Sequence, residues 1–380
     1  MSDVYILGTD MIRFGRFPDR TVPQIGAESA LLALDDAGLT IQDMQAFYCG
    51  NLFQANAMVG QRILQEIGQT GVAVVNTSNA CATGATAFRE AWMAIKAGVY
   101  DLVLAVGVEQ MGKGLIGGTG AGKGIPKEGL LGSGTMPAVF AEAGMEHASK
   151  YGTTFEQFAK ISVKNHHHST LNPKAMYQKE TPLEDVMNAE MIAYPNTKLM
   201  CSVNVDGSAA AVLASEKKAK ELGLGRAVRV RASVLTSDPW QERDLVMPDV
   251  NSCTRNAAKE AYEMAGVGPK DVSLVELHDC FATAEMLHYE NLGLCGDGEA
   301  GMMIDEGHTA LGGKIPVNVS GGLLSKGHPL GATGIANIYE VSTHLRGEAG
   351  KRQVEGAKIG LTHVIGLGSA CAIHVLEKAN

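Results

Sequence analysis

Val72-Ala-Val-Val75, Asn79-Ala-Cys81-Ala-Thr83-Gly-Ala-Thr-Ala87 and Asp101-Leu-Val-Leu-Ala-Val-Gly107 follow one another along the chain, and their reading decides the fold. The first and last runs are short and apolar, as buried strands are, and the middle one is a small-residue segment that opens a helix. Strand, cysteine, helix, strand is a layout that activates a thiol. A helix N-terminus presents free N–H groups and partial positive charge, which favours thiolate over thiol at Cys81. On these residues alone two readings stand: Cys81 is a nucleophile, or it is a buried cysteine packing as a small apolar residue.

Composition narrows the class. A chain of 380 residues suffices for two ordinary domains or one large one. Hydrophobic content of 45% with 19% charged residues describes a soluble globular protein, and 46 glycines suit close backbone packing. A net charge of −9 without a long basic run speaks against nucleic acid as a partner. No apolar stretch reaches the roughly 18 residues of a membrane span. Met1-Ser-Asp-Val-Tyr-Ile-Leu-Gly8 lacks the pattern of a signal peptide, and Glu377-Lys-Ala-Asn380 is not a Ser-Lys-Leu address. Seven scattered cysteines without a Cys-x-x-Cys pair suggest no disulfide framework and no zinc ribbon, and point to a reducing cytoplasm.

Outward from the opening stretch, strands and helices alternate. Strands are expected over 3–9, 46–49 and 102–107, and helices over 23–37, 60–67 and 84–97, an α/β pattern with buried parallel strands. Between Gly112 and Pro137 glycines crowd and periodicity vanishes, as in a functional or mobile loop. Helical stretches at 138–151, 154–168 and 182–189 lead back to a strand-like, small-residue run over 200–215. Residues 112–200 therefore read as an insertion within a first unit made of 1–111 and 201–223. The second unit, 224–380, offers strands at 227–234, 272–277, 316–319, 358–362 and 370–376, helices at 254–265, 282–292 and 334–345, and a loop at 301–313.

The two units share a motif. Cys81-Ala-Thr-Gly-Ala-Thr-Ala87 matches His328-Pro-Leu-Gly-Ala-Thr-Gly334, each following a strand and opening a helix. This reads as a diverged internal duplication. Two such helices packed about a local two-fold bring Cys81 next to His328, and a nucleophilic cysteine needs a base.

Four motifs now stand in order: Asn79-Ala-Cys81-Ala-Thr83-Gly84, His278-Asp279-Cys280-Phe281, Gly327-His328-Pro329-Leu-Gly-Ala-Thr-Gly334 and Ile365-Gly366-Leu-Gly368. Together they resemble the thiolase superfamily over essentially the whole chain, most of all the sterol-carrier-protein-type (SCP-x) thiolases, here without a trailing sterol-carrier domain. The resemblance implies a thiolase-like α/β fold: two pseudo-symmetric halves in five αβαβα layers, with an inserted loop domain. It implies that Cys81 accepts an acyl group from acyl-CoA and that His328 deprotonates it. The N–H groups of Cys81 and Gly366 would form the oxyanion hole. Better-known thiolases carry a second catalytic cysteine where this chain has Val364; the SCP-x type places it in the His-Asp-Cys-Phe loop, as Cys280. A thiol near neutral pKa suits that proton transfer. His278 then donates to a thioester oxygen, directly or through a water, and Thr83 packs or bonds locally.

The implied activity is acyl transfer between coenzyme A thioesters: thiolysis of 3-ketoacyl-CoA, or the reverse Claisen condensation. Coenzyme A and acyl-CoA are substrates, no permanently bound cofactor or metal is required, and a homodimer or tetramer is expected. Two other enzyme readings are an acyltransferase with a different acceptor or an acetoacetyl-CoA-forming subunit with a small partner protein, and a steroid side-chain retro-aldolase, which the presence of Cys81 disfavours. A non-catalytic lipid or acyl-CoA binder would not need Cys81, Cys280 and two histidines in register. Two further features are set aside. Gly117-Gly-Thr-Gly-Ala-Gly-Lys-Gly124 approaches a phosphate-binding loop but lacks its terminal hydroxyl. His166-His-His168 reads as a solvated helix end, since consecutive helical residues point apart and cannot chelate one ion. Cys371, Cys49, Cys201, Cys253 and Cys295 read as packing residues.

Overall fold

The computed structural model describes residues 3–112, 136–239, 250–367 and 369–379. Within them run strands β1 (Val4–Met11), β2 (Ala46–Gly50), β3 (Ala73–Thr77), β4 (Leu102–Glu109), β5 (Met191–Ala193), β6 (Asn196–Thr197), β7 (Gly207–Ser215), β8 (Val228–Thr236), β9 (Leu274–Glu276), β10 (Ile359–Gly366) and β11 (Ala370–Lys378). The helices are α1 (Val22–Asp36), α2 (Val59–Ile67), α3 (Thr83–Lys96), α4 (Met136–Tyr151), α5 (Phe155–Thr170), α6 (Leu183–Asn188), α7 (Glu216–Leu222), α8 (Val250–Ala265), α9 (Ala282–Asn291), α10 (Ala300–Asp305) and α11 (Leu330–Arg346). Local chemistry sets their ends. Helix α1 starts on a capping box between Thr21 and Gln24 with Pro23 in its first turn, and Gly38 follows its end at φ +66°.

The nine main strands form one hydrogen-bonded order, β3-β2-β4-β7-β1-β8-β11-β10-β9. Its two ends repeat each other. β2–β4 is parallel and β4–β7 and β7–β1 antiparallel; β9–β10 is parallel and β10–β11 and β11–β8 antiparallel. The halves join where Val4–Ile6 of β1 pairs with Val228–Val230 of β8. The counterpart of β3 is the segment around Val317, reduced to a single parallel bridge with Val275, so the strand expected over 316–319 does not form. The loop expected over 301–313 likewise contains helix α10. β3 itself is an exposed edge strand rather than a buried one.

Three cores separate five layers. Ile25, Ala30 and Ala33 of α1 pack on Leu104, Val106 and Val212 of one sheet face. From the opposite face Val103, Ala105 and Leu213 meet Phe88, Ala91 and Ile95 of α3 and Ile335, Ile338 and Val341 of α11, with Val230, Leu274 and Leu376 beyond them. Ala257, Ala258 and Ala261 of α8 then cover Val234, Leu361 and Ile373. That is the helix, sheet, helix, sheet, helix order of a thiolase-like α/β fold. Phe140 of α4 and Phe158 and Ile161 of α5 join this last core against Phe281, Ala284 and Leu287.

The central helices touch through glycine. A Cβ on Gly84 would meet the Gly331 carbonyl oxygen at 2.5 Å, and one on Gly334 would meet the Ala85 nitrogen at 2.3 Å. Only glycine permits that approach, and it brings the starts of α3 and α11 together.

Candidate active site

The Cys81 loop is held from within. Ala80 takes the left-handed conformation at φ +48°. The Thr83 hydroxyl donates to the Ala80 carbonyl at 2.6 Å and accepts the Asn79 N–H at 2.8 Å, the local bonding expected of it. Cys81 belongs to a buried cluster with Met111, Leu330, Val364 and Ala370, against which Leu52 packs. Burial pushes the thiol up to about 12, although the N–H groups of Leu367 and of Cys81 itself favour the thiolate. This corrects the expectation of a helix-activated thiolate: in this dry pocket desolvation outweighs the helix start, and the resting group is a thiol.

His328 follows a π-turn, Gly322–Lys326, and its N–H donates to the Val203 carbonyl at 2.8 Å. Its Nδ1 lies 2.7 Å from Thr333 Oγ1. That hydroxyl donates to the Pro329 carbonyl at 3.0 Å, so it accepts from Nδ1–H. The Nε2 lone pair is left bare, buried and without a hydrogen-bond partner among the described residues. Thr86 is the matching residue of the first motif, and its hydroxyl likewise donates one turn back, to Ala82, at 2.9 Å. Thr333 was in the quoted motif, but only the geometry reveals its part.

His278 lies just beyond β9, edge-on to His328 with ring centroids 5.1 Å apart. Among the described residues neither of its ring nitrogens has a hydrogen-bond partner. Burial lowers it to about 3 and holds His328 well below the usual histidine range, so both imidazoles are neutral. The Cys81 sulfur and a ring nitrogen of each histidine lie within 4.8 Å of one another. A thiol beside a bare imidazole nitrogen can pass it a proton.

Cys280 is buried in the same loop. Burial first, then the neighbouring Cys81 and Asp279, raise its thiol well above the ordinary value, rather than leaving it near neutrality as expected. Between His278 and Cys280, Asp279 takes the N–H of Leu323 at 2.7 Å, of Leu324 at 3.2 Å, and the Asn165 side-chain amide at 2.8 Å. It therefore ties the His278–Cys280 loop to the π-turn that precedes His328. Gly366 ends β10, where a Cβ would meet the Asn79 carbonyl oxygen at 2.7 Å; Gly368 of the same motif lies outside the described residues.

The remaining candidates lie elsewhere. His166 and His168 are buried, which corrects the solvated helix end: His168 Nδ1 meets the Asn318 carbonyl at 2.9 Å and its Nε2 accepts the Leu311 N–H at 3.0 Å. Only His167 faces outward, on Glu180 at 2.8 Å. All seven cysteines are free, and Cys371 is buried in the second-half core with Cys253. Residues 117–124 lie outside the described residues.

Comparison with known proteins meets this geometry from another side. Residues 4–191 match the family model of the thiolase N-terminal domain and residues 238–378 that of the thiolase C-terminal domain-like family. The chain is 40% identical to sterol carrier protein 2 of Homo sapiens over 388 residues, 97% of this chain and 71% of that one. It is 39% identical to an acetyl-CoA acetyltransferase of Methanothermobacter thermautotrophicus, over the full length of both. Its fold superposes on the Ltp2-ChsH2(DUF35) aldolase with a TM-score of 0.85 at 23% identity, covering 99% of this chain and 98% of that one.

Proposed function

The chain belongs to the thiolase family and is an acyltransferase, and we propose that it carries an acyl group on Cys81 between coenzyme A thioesters. The observation that supports this best is the cluster of Cys81, His278 and His328 within 4.8 Å, with the Nε2 of His328 bare. In thiolysis, His328 Nε2 takes the Cys81 proton as the sulfur attacks the keto carbon of a 3-ketoacyl-CoA. The bond between the α-carbon and the keto carbon breaks, and the Cys280 thiol protonates the departing acetyl-CoA carbanion. Cys280, now a thiolate, takes the proton of incoming CoA, which attacks the thioester on Cys81. The released Cys81 thiolate recovers its proton from His328. Claisen condensation runs the same steps backwards. Coupling proton transfer to attack suits thiols that burial keeps neutral at rest.

The N–H groups of Cys81 and Gly366 are the proposed oxyanion hole, where one donor contributes roughly 3 kcal/mol. His278, with a single N–H in its neutral form, donates to the thioester oxygen. No step calls for a metal or a resident cofactor. Residues 112–200 are the proposed loop domain inserted in the first half. We place the enzyme in the reducing cytoplasm as a homodimer or tetramer. The exposed β3 edge, where Val75 is 41% exposed, is the face offered for self-association. A small partner protein is a second reading, prompted by the likeness of the fold to the Ltp2-ChsH2(DUF35) aldolase. Among the described residues no helix is long and apolar enough to cross a membrane.

The test is a panel of 3-ketoacyl-CoAs followed for CoA-dependent acetyl-CoA release. Release with wild type and loss with Cys81→Ser supports the reading. Acylation that CoA cannot discharge points to another acceptor. A Cys280→Ala variant should acylate from a simple acyl-CoA yet fail to condense.

A further inference from the structure

We propose that Cys81, His278 and His328 form a binding site for one borderline-soft divalent cation of the zinc type, and that its occupancy blocks acyl transfer. The second clause rests on the acyl-transfer reading; the first stands on geometry alone. The three ligand atoms, one sulfur and two ring nitrogens, are all buried and lie within 4.8 Å of one another. A tetrahedral ion at ~2.3 Å from sulfur and ~2.0 Å from nitrogen holds such atoms ~3.3–3.6 Å apart. Binding of the ion would draw the three side chains together by that difference. Thiolate with imidazole is a donor set that suits zinc-like ions, and three protein ligands leave a fourth position for water or a substrate thiol.

The ring nitrogens supply independent support. Among the described residues, Nδ1 and Nε2 of His278 and Nε2 of His328 are buried and have no hydrogen-bond partner. A buried orphan of this kind costs about 1–3 kcal/mol, so a ligand that engages it is favoured. The Nδ1–H of His328 is already fixed on Thr333 at 2.7 Å, which aims the Nε2 lone pair as outer partners aim histidines in metal sites. The ligands come from three separated segments, so no sequence spacing announces them.

The exchange balances without an oxidant. The Cys81 S–H bond breaks, a sulfur–metal bond forms, and one proton leaves to solvent for each ion; the neutral histidines release none. The bound ion holds both the Cys81 sulfur and the His328 Nε2, the proposed nucleophile and base.

Cobalt(II) alone, titrated into the full chain, is the probe. One ion per chain with thiolate-to-cobalt charge-transfer absorption is expected. Cys81→Ser should remove the band, and His278→Ala should weaken binding at least tenfold while the fold, followed by circular dichroism, persists. Equal binding in both variants, or no charge-transfer band, overturns the proposal. Protection of Cys81 in the unaltered protein from iodoacetamide, read by peptide mass, is the second measurement: cobalt(II) should slow labelling, and unchanged labelling overturns the proposal even if a variant fails to fold. Metal binding without any acyl adduct would sink the acyl-transfer reading alone; an acyl adduct without metal binding would sink this proposal alone.

Discussion

Nδ1 of His328 and Oγ1 of Thr333 stand 2.7 Å apart, and that contact decides which face of the imidazole carries a lone pair. Because the Thr333 hydroxyl gives its proton to Pro329, the ring must give one to Thr333. Thr333→Val keeps the shape and removes the acceptor. Leaving Nδ1–H unpaired costs about 1–3 kcal/mol and favours the wrong tautomer, so kcat should fall about 10–100-fold. Thr333→Ser should recover most of it. Steady-state kinetics beside melting curves decide the matter; equal losses in Val and Ser variants would contradict the account.

Asp279 is the clamp between the two loops of the proposed site, through Leu323, Leu324 and Asn165. Asp279→Ala strands those donors in the interior, at about 1–3 kcal/mol for each. Denaturant midpoints should drop accordingly. Condensation, which needs Cys280 and His328 in register, should suffer more than acylation by a simple acyl-CoA. A variant with an unchanged midpoint, or with both half-reactions equally slowed, would remove Asp279 from this role.

Gly334→Ala tests the helix crossing. The added Cβ would lie 2.3 Å from the Ala85 nitrogen, a backbone atom that cannot rotate away. The loss should be about 1–3 kcal/mol, typical of overpacking, with a fall in acylation rate as α11 shifts from α3. A variant as stable and as active as wild type would show that the contact is not tight.

Burial lowers His168, His278, His288 and His374 to about 3. The unfolded chain takes up protons on these rings near pH 6.5, and the folded chain does not until about pH 3. Stability is thus fully present above about pH 6.5 and declines as pH falls, by about 1.4 kcal/mol per unit for each ring. Urea midpoints should drop steeply between about pH 6.5 and 4.5; a flat profile there would be the contrary result.

Much of this was legible in the sequence, and the exceptions have physical causes. The match of Cys81-Ala-Thr-Gly with His328-Pro-Leu-Gly anticipated the helix crossing, because Gly84 and Gly331 are the residues in contact. Val317 looked like a strand by composition, but it makes only one bridge, since Pro316 and the turn at Asn318 leave no ladder to extend. The histidines of α5 looked solvated because polarity along a helix does not reveal what packs on it; residues 309–318 cover His168. The ionisation of Cys81 escaped the sequence altogether. Helix position is local, whereas the burial that raises the thiol comes from Met111, Leu330 and Val364, distant in the chain.

The central claim is that Cys81 carries the acyl group, and intact-mass spectrometry after mixing with a 3-ketoacyl-CoA in the absence of free CoA tests it most directly. The account predicts one acyl adduct per chain, mapped to Cys81, absent in Cys81→Ser and discharged when CoA is added. Acetyl-CoA release that proceeds with no adduct on Cys81, or proceeds undiminished in Cys81→Ser, would contradict it.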